Sequence, residues 1–237
     1  MIKVLKNITK NGLKNYLNKG YSIPEKIEQS VFKRQNEFAV GRLCAISALE
    51  TLLGKFEGTI GQDNFFRPIW PDEIVGSISH SDNYAVAVVT FKQDIFSLGV
   101  DIEEVDLCAS KINSIQELVT TELENRLIKF LNNSHIPKLK AYIIYLIFSA
   151  KESFFKCINP LCNLIFDFKD VELFDINLNK KTFKIKLIKD LELSNLSIDA
   201  MVFCGSFFSL FEGKVVYTQV DCKHEIFGQP RKSLPEY

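Results

Sequence analysis

Ser97-Leu98-Gly99-Val100-Asp101-Ile102-Glu103-Glu104-Val105 reads as a short strand whose period-two alternation sends Val100 and Ile102 to one face and Asp101 and Glu103 to the other. Two carboxylates then stand side by side. Like charges so placed repel unless one keeps its proton or a cation lies between them. With no His or Cys beside them, these hard oxygen donors suit Mg2+, which keeps several waters and completes its shell from one or two carboxylates and substrate phosphates. By itself, Asp-x-Glu more often marks the solvated face of an edge strand.

The segments on either side add to that reading. Upstream, Phe38, Ala39, Leu43, Ile46, Leu49 and Leu53 recur at three- and four-residue spacing, which predicts an amphipathic helix within 25–53 that stops at Gly54. Lys33, Arg34 and Arg42 lie on it, Arg34 and Arg42 roughly on one side, where they either solvate the helix or face an anion. In the turn-rich stretch 58–71, Arg67 precedes Pro68, so it is held extended and its side chain is presented. Residues 74–91 read as strand, Asp82-Asn83 turn and strand. Ser77, Ser79 and His80 fall just before that turn, and a lone His in a strand is more often structural than functional.

Downstream, residues 114–131 and 138–158 read as helices separated by a break at 132–137. The second is apolar nearly all round until Lys151, Glu152 and Lys156 interrupt it; Glu152 and Lys156 share a face, as in an ordinary helix ion pair. Strands follow over 167–178, 182–191, 199–211 and 214–220, with turns at 179–181 and 212–214. Each half thus runs helix then strands, which predicts an α+β chain of two similar lobes with the carboxylate strand near their junction, where ligand clefts tend to lie. The division is an N-terminal lobe 1–105 carrying the basic residues and first carboxylates, a C-terminal lobe 106–222 carrying the Lys151-Glu152-x-x-x-Lys156 helix, and a loosely ordered tail 223–237.

With 46% hydrophobic and 24% charged residues, the chain is neither disordered nor fibrous. Lys plus Arg equals Asp plus Glu at 29 each, so no overall basic field points to nucleic acid, and any anion site must be local. The six cysteines lack zinc spacing and read as reduced core residues. No signal-peptide core and no run near the ~18 apolar residues of a membrane span is present, so a cytoplasmic protein is expected.

Taken together, these segments resemble the two-lobed 4'-phosphopantetheinyl transferases, and within them the siderophore-synthase branch. The family's GxDxE stands as Gly99-Val100-Asp101-Ile102-Glu103 and its WSxKEAxxK as Phe148-Ser149-Ala150-Lys151-Glu152-Ser153-Phe154-Phe155-Lys156. Lys33-Arg34-Gln35 leading to Gly41-Arg42-Leu43-Cys44-Ala45, Arg67-Pro68-Ile69-Trp70-Pro71 and Gly76-Ser77-Ile78-Ser79-His80-Ser81 also look like that branch. Phe148 replaces the usual Trp and Ser153 the usual Ala, changes expected to affect packing rather than chemistry. The resemblance implies a pseudo-twofold fold and Mg2+-dependent transfer of 4'-phosphopantetheine from coenzyme A to a serine of an acyl, aryl or peptidyl carrier protein; two lobes that carry the halves of one site favour a monomer. It further implies that Asp101, Glu103 and Glu152 hold the metal, that Glu152 or a water it holds is the base, that Lys156 binds the same phosphates, and that Arg34, Arg42, Arg67, Ser79 and His80 hold the nucleotide end. The alternatives are a Mg2+-dependent phosphodiesterase or nucleotide hydrolase, and a coenzyme A-binding module without activity.

Overall fold

The structure, a computed structural model, describes residues 1–132, 136–163, 165–188, 202–210 and 213–222. The expected tail 223–237, the first residues of the strand expected over 199–211 and part of the 212–214 turn lie outside these residues.

The first lobe opens with β1 (Ile2–Asn7), α1 (Gly12–Asn18), α2 (Glu25–Glu28) and α3 (Phe32–Leu53), followed by a two-residue ladder of β2 (Gly61–Gln62) and β3 (Pro68–Ile69), then β4 (Ile74–His80) and β5 (Tyr84–Phe91). The β1, β5 and β4 strands form an antiparallel sheet in that order. The apolar stripe of α3 lies on it: Ala39, Val40, Ala45, Ile46 and Leu49 share a core with Ala85, Ala87 and Val89. Gly54 ends the helix at φ 77°, a left-handed conformation that glycine reaches without a Cβ clash. Sequence reading missed β1, because Lys3 and Lys6 interrupt its apolar residues; its alternating burial is that of an edge strand.

The second lobe comprises β6 (Ser97–Glu104), α4 (Ala109–Val119), α5 (Glu122–Leu131), α6 (Pro137–Cys162), a 3-10 turn (Phe168–Asp170), β7 (Val171–Asn177), β8 (Thr182–Leu187), β9 (Val202–Leu210) and β10 (Val215–Cys222). Its antiparallel sheet has the order β6-β10-β9-β8-β7. The expectation of an α+β chain with two lobes holds, each a long helix laid on an antiparallel sheet, although the sheets differ in size. They divide before Ser97 rather than after Val105: β6 pairs with β10 over its whole length and so belongs to the second sheet. The helical stretch 114–131 is broken at Thr120-Thr121, where Thr121 and Glu124 form a capping box that starts α5 afresh. Two of the six cysteines, Cys108 and Cys204, are exposed, although all were expected in the core. Among the described residues no helix is long and apolar enough to cross a membrane.

Alternation in β6 joins the lobes. Leu98, Val100 and Ile102 enter an apolar cluster with Val86 and Val88 of β5 and Val215 and Tyr217 of β10. The other face turns to α6, and there the contact is backbone on backbone. A Cβ at Gly99 would stand 1.9 Å from Ser153 O and 2.5 Å from Cys157 N. Small residues on the helix complete this fit: Ser149 and Ser153 hydroxyls bond to Thr218 of β10 at 2.8 and 2.6 Å.

Lys151 is a core residue of the second lobe. It is 2% exposed, and its ammonium donates to Val119 O, Glu124 Oε2 and Phe168 O at 2.7, 2.7 and 2.9 Å, tying α6 to α4, α5 and the 3-10 turn. Three donors meeting three acceptors is what makes a buried ammonium tolerable.

Because the atoms facing Gly99 are backbone, Gly99→Ala should cost about 3 kcal/mol in urea unfolding. A loss below about 1 kcal/mol would mean that strand and helix have room to part.

Candidate active site

All nine residues singled out from sequence line one cavity of about 900 Å³ between the lobes: Arg34, Arg42, Arg67, Ser79, His80, Asp101, Glu103, Glu152 and Lys156. The sheets bring them there. β4 and β6 are the facing edges of the two sheets, stitched by serines. Ser77 Oγ accepts from Val100 N at 3.0 Å, and Ser79 Oγ donates to Asp101 Oδ1 at 2.7 Å. Ser77 was not among the candidate site residues, yet it satisfies an edge amide that no strand covers.

The acidic end of the cavity consists of Asp101 and Glu103 from β6 and Glu152 from α6. Lys156 reaches Asp101 Oδ1 at 2.6 Å and Ser79 Oγ at 3.0 Å; the sequence had suggested Glu152, four residues away, as its partner. Lys156 is favoured in its charged form, because the attraction of Asp101 and Glu152 outweighs the burial that opposes it. Burial and the neighbouring Asp101 push Glu103 up to about 8, with Lys156 opposing and Glu152 adding to the rise. Burial likewise raises Glu152, against the pull of Lys156. The three acids therefore cannot all ionise comfortably on their own.

Asp101 Oδ2 gives that strain a location, since it is buried and has no hydrogen-bond partner. An orphaned carboxylate oxygen beside two acids of raised pKa fits a hard divalent cation. Among the described residues no three His, Cys, Asp or Glu side chains form a ready-made cluster of ligands. A cation here would therefore draw much of its shell from water and substrate oxygens, as Mg2+ does.

The basic end is built on α3 and the 60–69 turn. Arg34 Nη1 donates to His80 Nε2 at 2.7 Å, which leaves His80 Nδ1 to carry the ring proton, 3.7 Å from Glu37 Oε2. Burial, then the cations Arg34 and Lys156, push His80 down to about 4, so it is neutral near pH 7. Arg42 is buried over the Phe38 ring and donates to Ile60 O and Gly61 O at 2.9 and 3.3 Å, holding the cavity wall in place. Arg67 is held by Asp63 Oδ2 at 2.7 Å and crosses to the C-terminal end of α6, where its Nη1 donates to Oδ1 of Asn163, the residue just past the helix, at 2.7 Å. Glu37, Asp63 and Asn163 escaped sequence reading: Asn163 lies 96 residues from Arg67 and nothing local marks it, whereas Glu37 and Asp63 stand three and four residues from Arg34 and Arg67, a spacing that could have found them.

Phe148 packs on Phe168 with ring centroids 5.5 Å apart, and Ser153 bonds to Thr218. Both departures from the family motif are thus accommodated in packing.

Two family models match the chain: one described as the 4'-phosphopantetheinyl transferase N-terminal domain, over residues 24–90, and one as the 4'-phosphopantetheinyl transferase superfamily, over residues 97–201. The chain belongs to the 4'-phosphopantetheinyl transferase superfamily. The two matches part between residues 90 and 97, where the sheets divide. The chain is 32% identical over 162 residues to the 4'-phosphopantetheinyl transferase Svp of Streptomyces mobaraensis, covering 68% of this chain and 63% of that protein. It is 30% identical over 150 residues to the 4'-phosphopantetheinyl transferase PptT of Mycobacterium tuberculosis, covering 62% and 61%. With enterobactin synthase component D of Escherichia coli (strain K12) it shares 35% identity over 124 residues, 52% of this chain and 54% of the relative. The chain thus aligns with just over half to just under two-thirds of the length of these relatives.

The His80 environment has a consequence for stability. Above its ordinary value of 6.5 the ring is neutral folded or unfolded; as pH falls from there toward about 4, only the unfolded chain takes up the proton, and stability is lost across that window. His80→Gln should flatten the fall of the urea midpoint between those values. An unchanged slope would contradict the buried, cation-flanked placement of the ring.

Proposed function

We propose that this chain transfers the 4'-phosphopantetheine group from coenzyme A to a serine hydroxyl of an acyl, aryl or peptidyl carrier protein. The observation that carries the reading is that a basic end and a carboxylate end face each other across one cavity of about 900 Å³. That size lies within the range of small-molecule and cofactor sites, and the charge pattern suits a molecule with a phosphate on its nucleotide and a pyrophosphate between the nucleotide and a neutral arm. Arg34 and the neutral His80 meet the nucleotide phosphate, Arg34 with a planar fork suited to it. Arg42 fixes the adjacent wall, and Arg67 bridges the 60–69 turn and the end of α6.

Asp101, Glu103 and Glu152 would hold Mg2+, which when bound supplies neutralisation of the charge that grows on the leaving phosphate. Lys156 stands beside Asp101 as a point charge for the same phosphates. The carrier serine Oγ forms the new bond to the phosphorus that bears the pantetheine arm, and the bond from that phosphorus to the leaving oxygen of adenosine 3',5'-bisphosphate breaks. The hydroxyl proton goes to Glu152 or to a water that Glu152 holds. Burial makes Glu152 a stronger base than an exposed carboxylate, closer to the match a general base needs near neutral pH. The similarity to enterobactin synthase component D favours a siderophore-type carrier, in a chain that acts as a cytoplasmic monomer.

Intact-mass spectrometry of apo carrier proteins incubated with the protein, coenzyme A and Mg2+ tests this. A phosphopantetheine-sized gain is expected, lost in EDTA and reduced at least ~100-fold in rate by Asp101→Ala or Lys156→Ala. Coenzyme A breakdown without carrier modification would assign a hydrolase instead. Binding without either change would leave a coenzyme A-binding module.

A further inference from the structure

Among the described residues two buried side-chain oxygens make no hydrogen bond, Asp101 Oδ2 and Tyr145 Oη. The first belongs to the carboxylate end of the cavity. The second has no role in anything above. Tyr145 is 2% exposed, sits among the core residues of the second lobe, and places a hydroxyl where an aliphatic or phenylalanine side chain would fill the same space.

Its place on α6 ties it to the site. Residues 145, 149, 152 and 156 follow one another at spacings of four, three and four, so Tyr145 lies on the stripe that carries Glu152 and Lys156, two turns toward the helix start. β6 runs along this side of the helix, with Gly99 against Ser153 and Cys157 and Asp101 against Lys156. Farther along the strand, Glu103 and Tyr145 share a neighbour in Lys111, and the Tyr145 hydroxyl lies within the field of Glu103 itself. The Asp106 backbone amide points its N–H at the hydroxyl oxygen, so what the hydroxyl lacks is an acceptor for its own proton; the Asp106 side chain is also near, but it is paired with Lys111 at 3.4 Å.

The three acids are unequally held. Asp101 has Ser79 and Lys156 as donors, whereas Glu103 has no hydrogen bond among the described residues. Carboxylates that ligate metals are themselves hydrogen-bonded as a rule, and those outer partners fix which oxygen faces the ion. A buried donor without an acceptor is disfavoured unless some state of the protein uses it.

We propose that Tyr145 is a positioning residue for the carboxylate end, donating its hydroxyl proton to the ionised Glu103 when a divalent cation is bound and so orienting that carboxylate toward the ion. The inference rests on the assignment of Asp101, Glu103 and Glu152 as cation ligands. Tyr145→Phe removes one oxygen and keeps the ring, so it separates this role from space filling.

The test is Mn2+ titration of the full-length protein, followed by the electron paramagnetic resonance signal of free Mn2+, alongside thermal unfolding without metal. Tyr145→Phe should melt no lower than the unchanged protein, because it deletes a buried hydroxyl whose proton has no acceptor, yet bind Mn2+ about 10-fold more weakly. In a Glu103→Gln background, where no carboxylate remains to orient, the same substitution should change Mn2+ affinity by less than about twofold. Equal affinity of Tyr145→Phe and the unchanged protein would overturn the positioning role while leaving the cation site intact. Failure of the unchanged protein to bind Mn2+ would overturn the cation site and this inference with it.

Discussion

The structure depends on the close approach of β6 to α6 at Gly99. One strand and one helix carry all three acids and the lysine, and side chains this short can act together only if their backbones nearly touch. Gly99 allows that contact on the strand side, with Ser149 and Ser153 on the helix side bonding to Thr218 rather than holding the elements apart. The apolar face of the same strand, Leu98, Val100 and Ile102, is what fastens the second sheet to β5. A single alternating strand thus joins the lobes with one face and builds the site with the other.

Electrostatics follow from that packing. Bringing Asp101, Glu103 and Glu152 together in a partly buried place raises the pKa of Glu103 and Glu152 and leaves one oxygen of Asp101 unpaired. Lys156 offsets part of the repulsion. The remainder is strain of the kind that functional sites retain and that a cation with phosphate ligands relieves. The second buried ion pair, Lys151 with Glu124, looks alike in sequence but is fully satisfied, which marks it as structural.

The lobes, the α3 helix, the β4–β5 hairpin and the alternation of β6 were legible because period and turn chemistry are local. The grouping of the nine candidate residues was legible only through resemblance to a family, since nothing local says that Arg34 meets His80 or that Arg67 meets Asn163. Three features went unread for physical reasons. β1 is an edge strand whose lysines mask its alternation, and the Thr120-Thr121 break depends on a capping box that a continuous apolar stripe hides. The strand pairing that moves β6 into the second sheet is set by β10, more than a hundred residues away.

On the proposed function, one cavity would hold coenzyme A with its nucleotide at the arginines and its pyrophosphate at the acids. A crystal structure of the protein with coenzyme A and Mg2+ tests it most directly. The pyrophosphate is expected between Lys156 and the three carboxylates, with the ion on Asp101 Oδ2 and the nucleotide phosphate beside Arg34 and His80. Coenzyme A bound elsewhere, or bound here with its pyrophosphate away from Lys156 and the acids, would contradict it.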